Sequence, residues 1–208
     1  MASQVVDYCI PSIVLEELEV TFSNCCGPLT SRKWIQRYLV SEPDYAIDFS
    51  REFQLCQRTA TLYPKNYYSW TYRHWLLTQL PEASDLLKQE YMWSRTWVES
   101  HVSDHSGIQH LERCLLSSEE LSTTVTQHME WLRENIKRYP GHEALWCHLR
   151  FCAHLAQSRR LLTTNMERQF IEQCLQECTE PTDESEMQKQ RQLALRYGLW
   201  ISHLVCFY

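Results

Sequence analysis

Apolar residues recur along this chain at the three- and four-residue steps of helices. Phe49, Phe53, Cys56, Ala60 and Tyr63 step by 4, 3, 4 and 3 and define one helix face. Pro64 is expected to stop that helix, and Asn66 to cap the next by accepting a backbone hydrogen bond. The following helix, about 67–80, carries two stripes. Trp70 and Leu77 form one; Tyr68, Tyr72, Trp75 and Leu76 form the other, so neighbours are expected on two sides. Further on, Leu86, Trp93 and Trp97 share a face, with Leu87, Tyr91 and Val98 beside it, and Asp104 sits where a cap is needed. Val125, Met129, Leu132, Ile136 and Tyr139 repeat the 4-3-4-3 step, and Leu145, Leu149, Cys152 and Ala156 continue in a partner helix.

After residue 160 the plan changes. Thr164 with Glu167 has capping-box spacing before a helix carrying Met166, Phe170, Cys174 and Leu175. The polar stretch Thr179-Glu180-Pro181-Thr182-Asp183-Glu184 reads as a linker. Asp183 and Glu186 repeat the box spacing before a last helix with Leu193, Tyr197, Trp200 and Leu204. No segment longer than a few residues has the alternation of a strand.

The helices are also periodic as units. Tyr63-Pro64-Lys65-Asn66-Tyr67-Tyr68-Ser69-Trp70-Thr71-Tyr72-Arg73-His74-Trp75 has an echo in Tyr139-Pro140-Gly141-His142-Glu143-Ala144-Leu145-Trp146. A weaker copy, Asp104-His105-Ser106-Gly107-Ile108, lies between them, and a worn one, Pro28 to Trp34, precedes them. The Trp position thus falls at 29, 70, 108 and 146. A regular period in this range means stacked helical hairpins. The expected fold is all-α, a right-handed α/α superhelix (solenoid), with a degenerate N-terminal segment at 1–40, repeats over 41–160 and capping helices over 161–208. The apolar cluster Ile10, Ile13, Val14, Leu15, Leu18, Val20 and Phe22 makes the N-terminal segment a poor polar cap.

Composition narrows the classes. The 208 residues carry a net charge of −6, which supplies no basic excess for nucleic-acid binding. Four glycines against eight tryptophans and eleven tyrosines favour helices over turn-rich β structure. No apolar run approaches the ~20 residues of a membrane span, and no signal peptide or C-terminal prenylation box is visible. The ten cysteines are irregularly spaced and read as buried thiols of a reducing, cytoplasmic protein. With no C-x-x-C, and with Cys174/Cys178 and His101, His105 and His110 lacking an obvious fourth ligand, no metal is expected on this chain. Nucleophile-elbow, P-loop and dinucleotide-binding motifs are absent, so a diphosphate would have to be held by Lys and Arg side chains.

The string P-x-N-Y-x-x-W-x-x-R-x-x-L, with His101-Val102-Ser103-Asp104-His105-Ser106-Gly107 and Tyr139-Pro140-Gly141-His142-Glu143, resembles the protein prenyltransferase α-subunit repeat family. The resemblance runs from about Leu29 to Phe151. It implies an α-type subunit of a heterodimeric prenyltransferase, inactive alone, that binds a β subunit, most plausibly the Rab-type geranylgeranyltransferase β subunit. That subunit would hold the zinc and the isoprenoid diphosphate, and the substrate would be a protein with a cysteine near its C-terminus. By position, Lys65, Asn66, Tyr67, Tyr68, Asp104, His105, Ser106, His142 and Glu143 are expected to face the partner and substrate. In the family, a lysine immediately before the N-Y of one repeat reaches the diphosphate. If the later strings fix the order of repeats, Lys65 belongs to the following repeat and the matching residue is the uncharged Asn24, which puts catalytic competence in question. Capping and helix packing are the competing readings of these residues. The tryptophans read as core, and Arg73 as a bond to a neighbouring helix or carbonyl. A tetratricopeptide-like interaction scaffold without prenyl chemistry is the rival reading, although repeats of ~34 residues fit the spacing less well. A pseudo-subunit that binds β without turnover is a third.

Overall fold

A computed structural model describes residues 48–63, 66–80, 85–117, 119–177 and 184–206. The copy at 28–34, the 1–40 segment, Lys65 and the linker residues 179–183 lie outside them. The described residues are helical, with no strand among them. They run as α1 (Phe49–Leu62), α2 (Tyr67–Gln79), α3 (Asp85–Ser100), α4 (His105–Leu116), α5 (Glu119–Thr123), α6 (Val125–Arg138), α7 (Glu143–Ser158), α8 (Thr164–Glu177) and α9 (Glu184–Cys206). The chain divides into two compact units, 1–79 and 80–208.

The first unit contains the α1–α2 hairpin. Asp48 caps α1 by accepting from the Arg51 N–H, and Phe53, Cys56 and Ala60 face inward as the 3.6-residue period requires. Tyr63 departs from the predicted stripe: it is the C-cap and is exposed, because the chain leaves the helix there. Both predicted stripes of α2 are used. Trp70 and Leu77 are buried, as are Tyr72, Trp75 and Leu76, while Tyr68 is half-buried. Arg73 is buried as well; its Nη1 donates to the Phe53 carbonyl at 2.8 Å, and its guanidinium lies 5.1 Å from the centre of the Phe53 ring. At the equivalent positions of the two later copies, Leu111 and Leu149 fill the space with apolar volume instead.

The second unit is an array. Helices α3 and α4 pair, α6 and α7 pair, and α8 and α9 pair; α4 then lies against α7, and α7 against α9. The core runs through Leu87, Tyr91, Val98, Ile108 and Leu111, then Met129, Leu132, Ile136, Leu145, Leu149 and Cys152. Gly107 permits α4 to approach α3 closely: a Cβ there would stand 2.7 Å from Trp97 Cδ1. The capping box predicted at Thr164 and Glu167 does not form. Thr164 is already inside α8, whose first amide bonds go to the Thr163 carbonyl. Glu167 instead turns inward, where it meets Arg133 of α6 and accepts from Tyr197 Oη of α9 at 2.7 Å. Gln190 of α9 accepts from Trp146 Nε1 and from the Gly141 N–H, both at 3.0 Å, which fixes the end of the array to the left-handed turn at Gly141 (φ +80°).

Candidate functional site

Two groups of polar residues stand out: the starts of the second helices of the hairpins, and a set of buried rungs inside the hairpins. At the start of α2, Asn66 Oδ1 accepts from the Tyr68 and Ser69 N–H groups at 3.1 and 3.3 Å, so Asn66 is a cap. Tyr67 is exposed and meets Tyr68 edge-on at 5.9 Å. At the start of α4, Asp104 Oδ1 accepts from Ser106 and Gly107, while Oδ2 accepts from Trp97 Nε1 at 3.0 Å. Asp104 is therefore a cap that also ties α4 to α3. His105 is exposed and Ser106 half-buried. At the start of α7, His142 occupies the N-cap position without a side-chain cap bond and shares a hydrogen bond of 2.8 Å with Ser103 Oγ; Glu143 is exposed in the first turn. Within the second unit, then, the structure brings Asp104, His105 and Ser106 to the same edge as His142 and Glu143. Segments 101–106 and 140–143 themselves contain no lysine or arginine, and the Lys189 side chain of α9 lies beside Gly141.

Of the rung residues, the sequence pointed only to Tyr72, as part of an apolar stripe, and to His110, as a histidine without a fourth metal ligand; their pairing as rungs was not expected. Tyr72 Oη donates to Glu52 Oε2 at 2.8 Å between α1 and α2. His110 Nε2 lies 2.6 Å from Glu90 Oε1 between α3 and α4. His128 Nε2 lies 2.8 Å from His148 Nε2 between α6 and α7. Each pair is separated by 20 residues, and the rungs recur in step with the repeat, at positions 52, 90 and 128 on the first helix and 72, 110 and 148 on the second. All six side chains are buried. Their common spacing is the signal that could have found them, had polar residues been tracked at the repeat period rather than apolar ones alone.

The third rung extends beyond its own hairpin. Tyr91 Oη of α3 lies 2.9 Å from His128 Nδ1, and Glu112 Oε1 of α4 lies 3.1 Å from His148 Nδ1. A carboxylate only accepts, so His148 Nδ1 carries a proton toward Glu112; if the second ring nitrogen of His148 is unprotonated, the remaining contacts close in one way. His148 Nδ1–H donates to Glu112, His148 Nε2 accepts from His128 Nε2–H, and His128 Nδ1 accepts from the Tyr91 hydroxyl. Burial, then the nearby His148 and Arg95, hold His128 well below the usual histidine range, which keeps it neutral. Cys152 Sγ lies 3.8 Å from His148 Nε2 and 4.0 Å from its Nδ1. Burial, then Glu112, push that thiol well above its usual range.

The fold is thus one of tandem helical hairpins with a regular period and polar rungs at fixed repeat positions. Residues 49–80 match the family model of the protein prenyltransferase alpha subunit repeat. Over 140 residues (50% of the chain) it is 31% identical to protein prenyltransferase alpha subunit repeat-containing protein 1 of Danio rerio. It is 30% identical over 139 residues to the 1-B form of Xenopus laevis, and 28% identical over 143 residues to the Homo sapiens protein, or 48% and 50% of the chain. The matched region covers 32%, 32% and 36% of those three relatives. Among the described residues, no helix is long and apolar enough to cross a membrane.

Proposed function

We propose that this chain acts as an α-type subunit of a heterodimeric protein prenyltransferase. Its partner is a geranylgeranyltransferase β subunit of the Rab type, and its substrates are proteins with a cysteine near the C-terminus. The observation that carries this reading is the specific match of 49–80 to the prenyltransferase repeat, supported by hairpins that recur at the same period. The chain is not a catalyst by itself. Under this reading it works in the cytoplasm, and the β subunit supplies zinc, which activates the substrate thiol as thiolate, and most of the isoprenoid site.

The partner-facing residues then divide by geometry. Asn66 and Asp104 hold their helices, because their side-chain oxygens are taken by backbone N–H groups. Tyr67, His105 and Glu143 are exposed and make the contacts, with Tyr68, Ser106 and His142 at their margins. Lys65 stands one repeat after the position from which the family's lysine reaches the diphosphate, so under this reading it is a partner- and substrate-facing residue and at most a secondary contact.

Co-expression with a Rab-type geranylgeranyltransferase β subunit tests the reading. Co-purification as a one-to-one complex that transfers geranylgeranyl to a cysteine-tailed protein supports it, with Tyr67→Ala weakening the complex. A complex without turnover identifies a pseudo-subunit. A well-behaved monomer that ignores the β subunit overturns the assignment and leaves the helical-repeat scaffold.

A further inference from the structure

The third rung differs from the other two in its donor atoms. His128, His148 and Cys152 each offer one ligand atom, all three within 4.8 Å of one another, and all three residues are buried. We propose that His128, His148 and Cys152 form a three-ligand binding site for a d10 cation that favours imidazole and thiolate, either three-coordinate Cu⁺ or Zn²⁺ with a solvent molecule in the fourth position.

Three features of the surroundings support a site rather than a chance cluster. First, both imidazoles turn Nε2 inward, toward each other, while their Nδ1 atoms are held by oxygens of the preceding hairpin, Tyr91 and Glu112. A metal-ligating histidine typically has its second ring nitrogen held in this way, often by a carboxylate. Second, the donors come from two helices, with His148 and Cys152 one turn apart on α7 and His128 facing them from α6. Third, the donor set is the one that selects zinc or copper(I) over hard cations. The adjustments needed are small. Two imidazole nitrogens on one tetrahedral zinc stand about 3.3 Å apart, against the 2.8 Å here, so the rings separate by about half an ångström. The thiol lies beside the His148 ring, nearly equidistant from its two nitrogens, so capture requires it to move toward the Nε2 edge.

Protons balance on capture. The thiol loses its proton to solvent and binds as thiolate. His128 exchanges its Nε2 proton for one on Nδ1, which it then donates to Tyr91 Oη. His148 keeps its Nδ1–H on Glu112 and binds through Nε2. One proton is released per cation bound. The metal-free form retains a complete hydrogen-bond chain, so the cation adds stability to a hairpin that folds without it.

The test uses the full chain, tag-free, stripped with a chelator and reloaded separately with Zn²⁺, with Cu⁺ under anaerobic reducing conditions, and with Co²⁺ as an optical probe. Retention of one Zn²⁺ or one Cu⁺ per chain after gel filtration is expected, and which arm is retained identifies the cation. Co²⁺ should give a thiolate-to-cobalt charge-transfer band. Cys152→Ala should abolish the band and lower retention at least tenfold. Cys114→Ala, the equivalent buried cysteine of the preceding hairpin, should leave both unchanged. If Cys152→Ala fails to fold by circular dichroism, the wild-type chain still decides the matter, through a metal-dependent rise in melting temperature and the charge-transfer band. No retained cation in any arm, with a helical, cooperatively melting protein, overturns the proposal. So does a band that persists in folded Cys152→Ala.

Discussion

The second and third rungs occupy the same place in successive hairpins, yet one is an acid–imidazole pair and the other a pair of imidazoles. Glu90 and His110 close a contact between α3 and α4 at 2.6 Å. His128 and His148 meet at 2.8 Å and also reach back to Tyr91 and Glu112, so the third rung joins two hairpins. The first rung, Glu52 with Tyr72, resembles the second in using a buried carboxylate. The lesson is that the repeat keeps the position of a polar bridge, not its chemistry. Geometry demands that the bridge be satisfied, because an unpaired polar group there is far from water. Which groups satisfy it is free to change, and the change sets how much each rung tolerates.

The largest expected effect breaks the second rung. Glu90→Ala removes the acceptor from a fully buried imidazole and should lower unfolding free energy by about 3 kcal/mol in urea titrations. A loss below about 1 kcal/mol would mean that the pair is dispensable and the comparison has no energetic content. Next, Tyr72→Phe deprives the buried Glu52 carboxyl of its donor, and a loss of about 2 kcal/mol is expected from the same measurement.

Tyr91→Phe sharpens the contrast. It removes one link from the third rung but leaves the His128–His148 and His148–Glu112 bonds, so about 1 kcal/mol is expected, less than either carboxylate rung. A larger loss than for Glu90→Ala would reverse the ranking.

The smallest effect is a pH dependence. Burial is the main influence on Glu52 and raises its pKa above the ordinary 4.5, with the Tyr72 hydrogen bond pulling the other way. The folded state therefore binds the proton more tightly than the unfolded state. Stability from this group is full below 4.5 and is lost as pH rises through the folded value. Glu52→Gln stays neutral and has no such slope. Its stability relative to wild type should improve by about a few tenths of a kcal/mol or more as pH climbs through that window, and an unchanging difference would remove burial as the cause.

Much of the fold was legible from residue patterns. The stripe from Val125 to Ile136 and the caps at Asn66 and Asp104 follow from local rules, since they depend on residues within one or two turns. The capping box at Thr164 and Glu167 failed for the opposite reason. Its spacing is right, but Glu167 has partners on α6 and α9 that a local reading cannot see. The helix starts at 66–68, 104–106 and 142–143 were legible as such; that Asn66 and Asp104 are occupied by capping, while Tyr67 and His105 are exposed, required the packed hairpins.

The sequence by itself determined that this protein is helical, that its hairpins recur at a regular period, and which faces are apolar, because helix period and repeat period are properties of the chain read in order. Only the tertiary structure decided which polar residues meet. His128 and His148 are 20 residues apart, and Tyr91 and Glu112 lie farther still, on the preceding hairpin. Their convergence comes from packing α6 on α7 and α4 on α7, and from the need of each buried donor and acceptor for a partner.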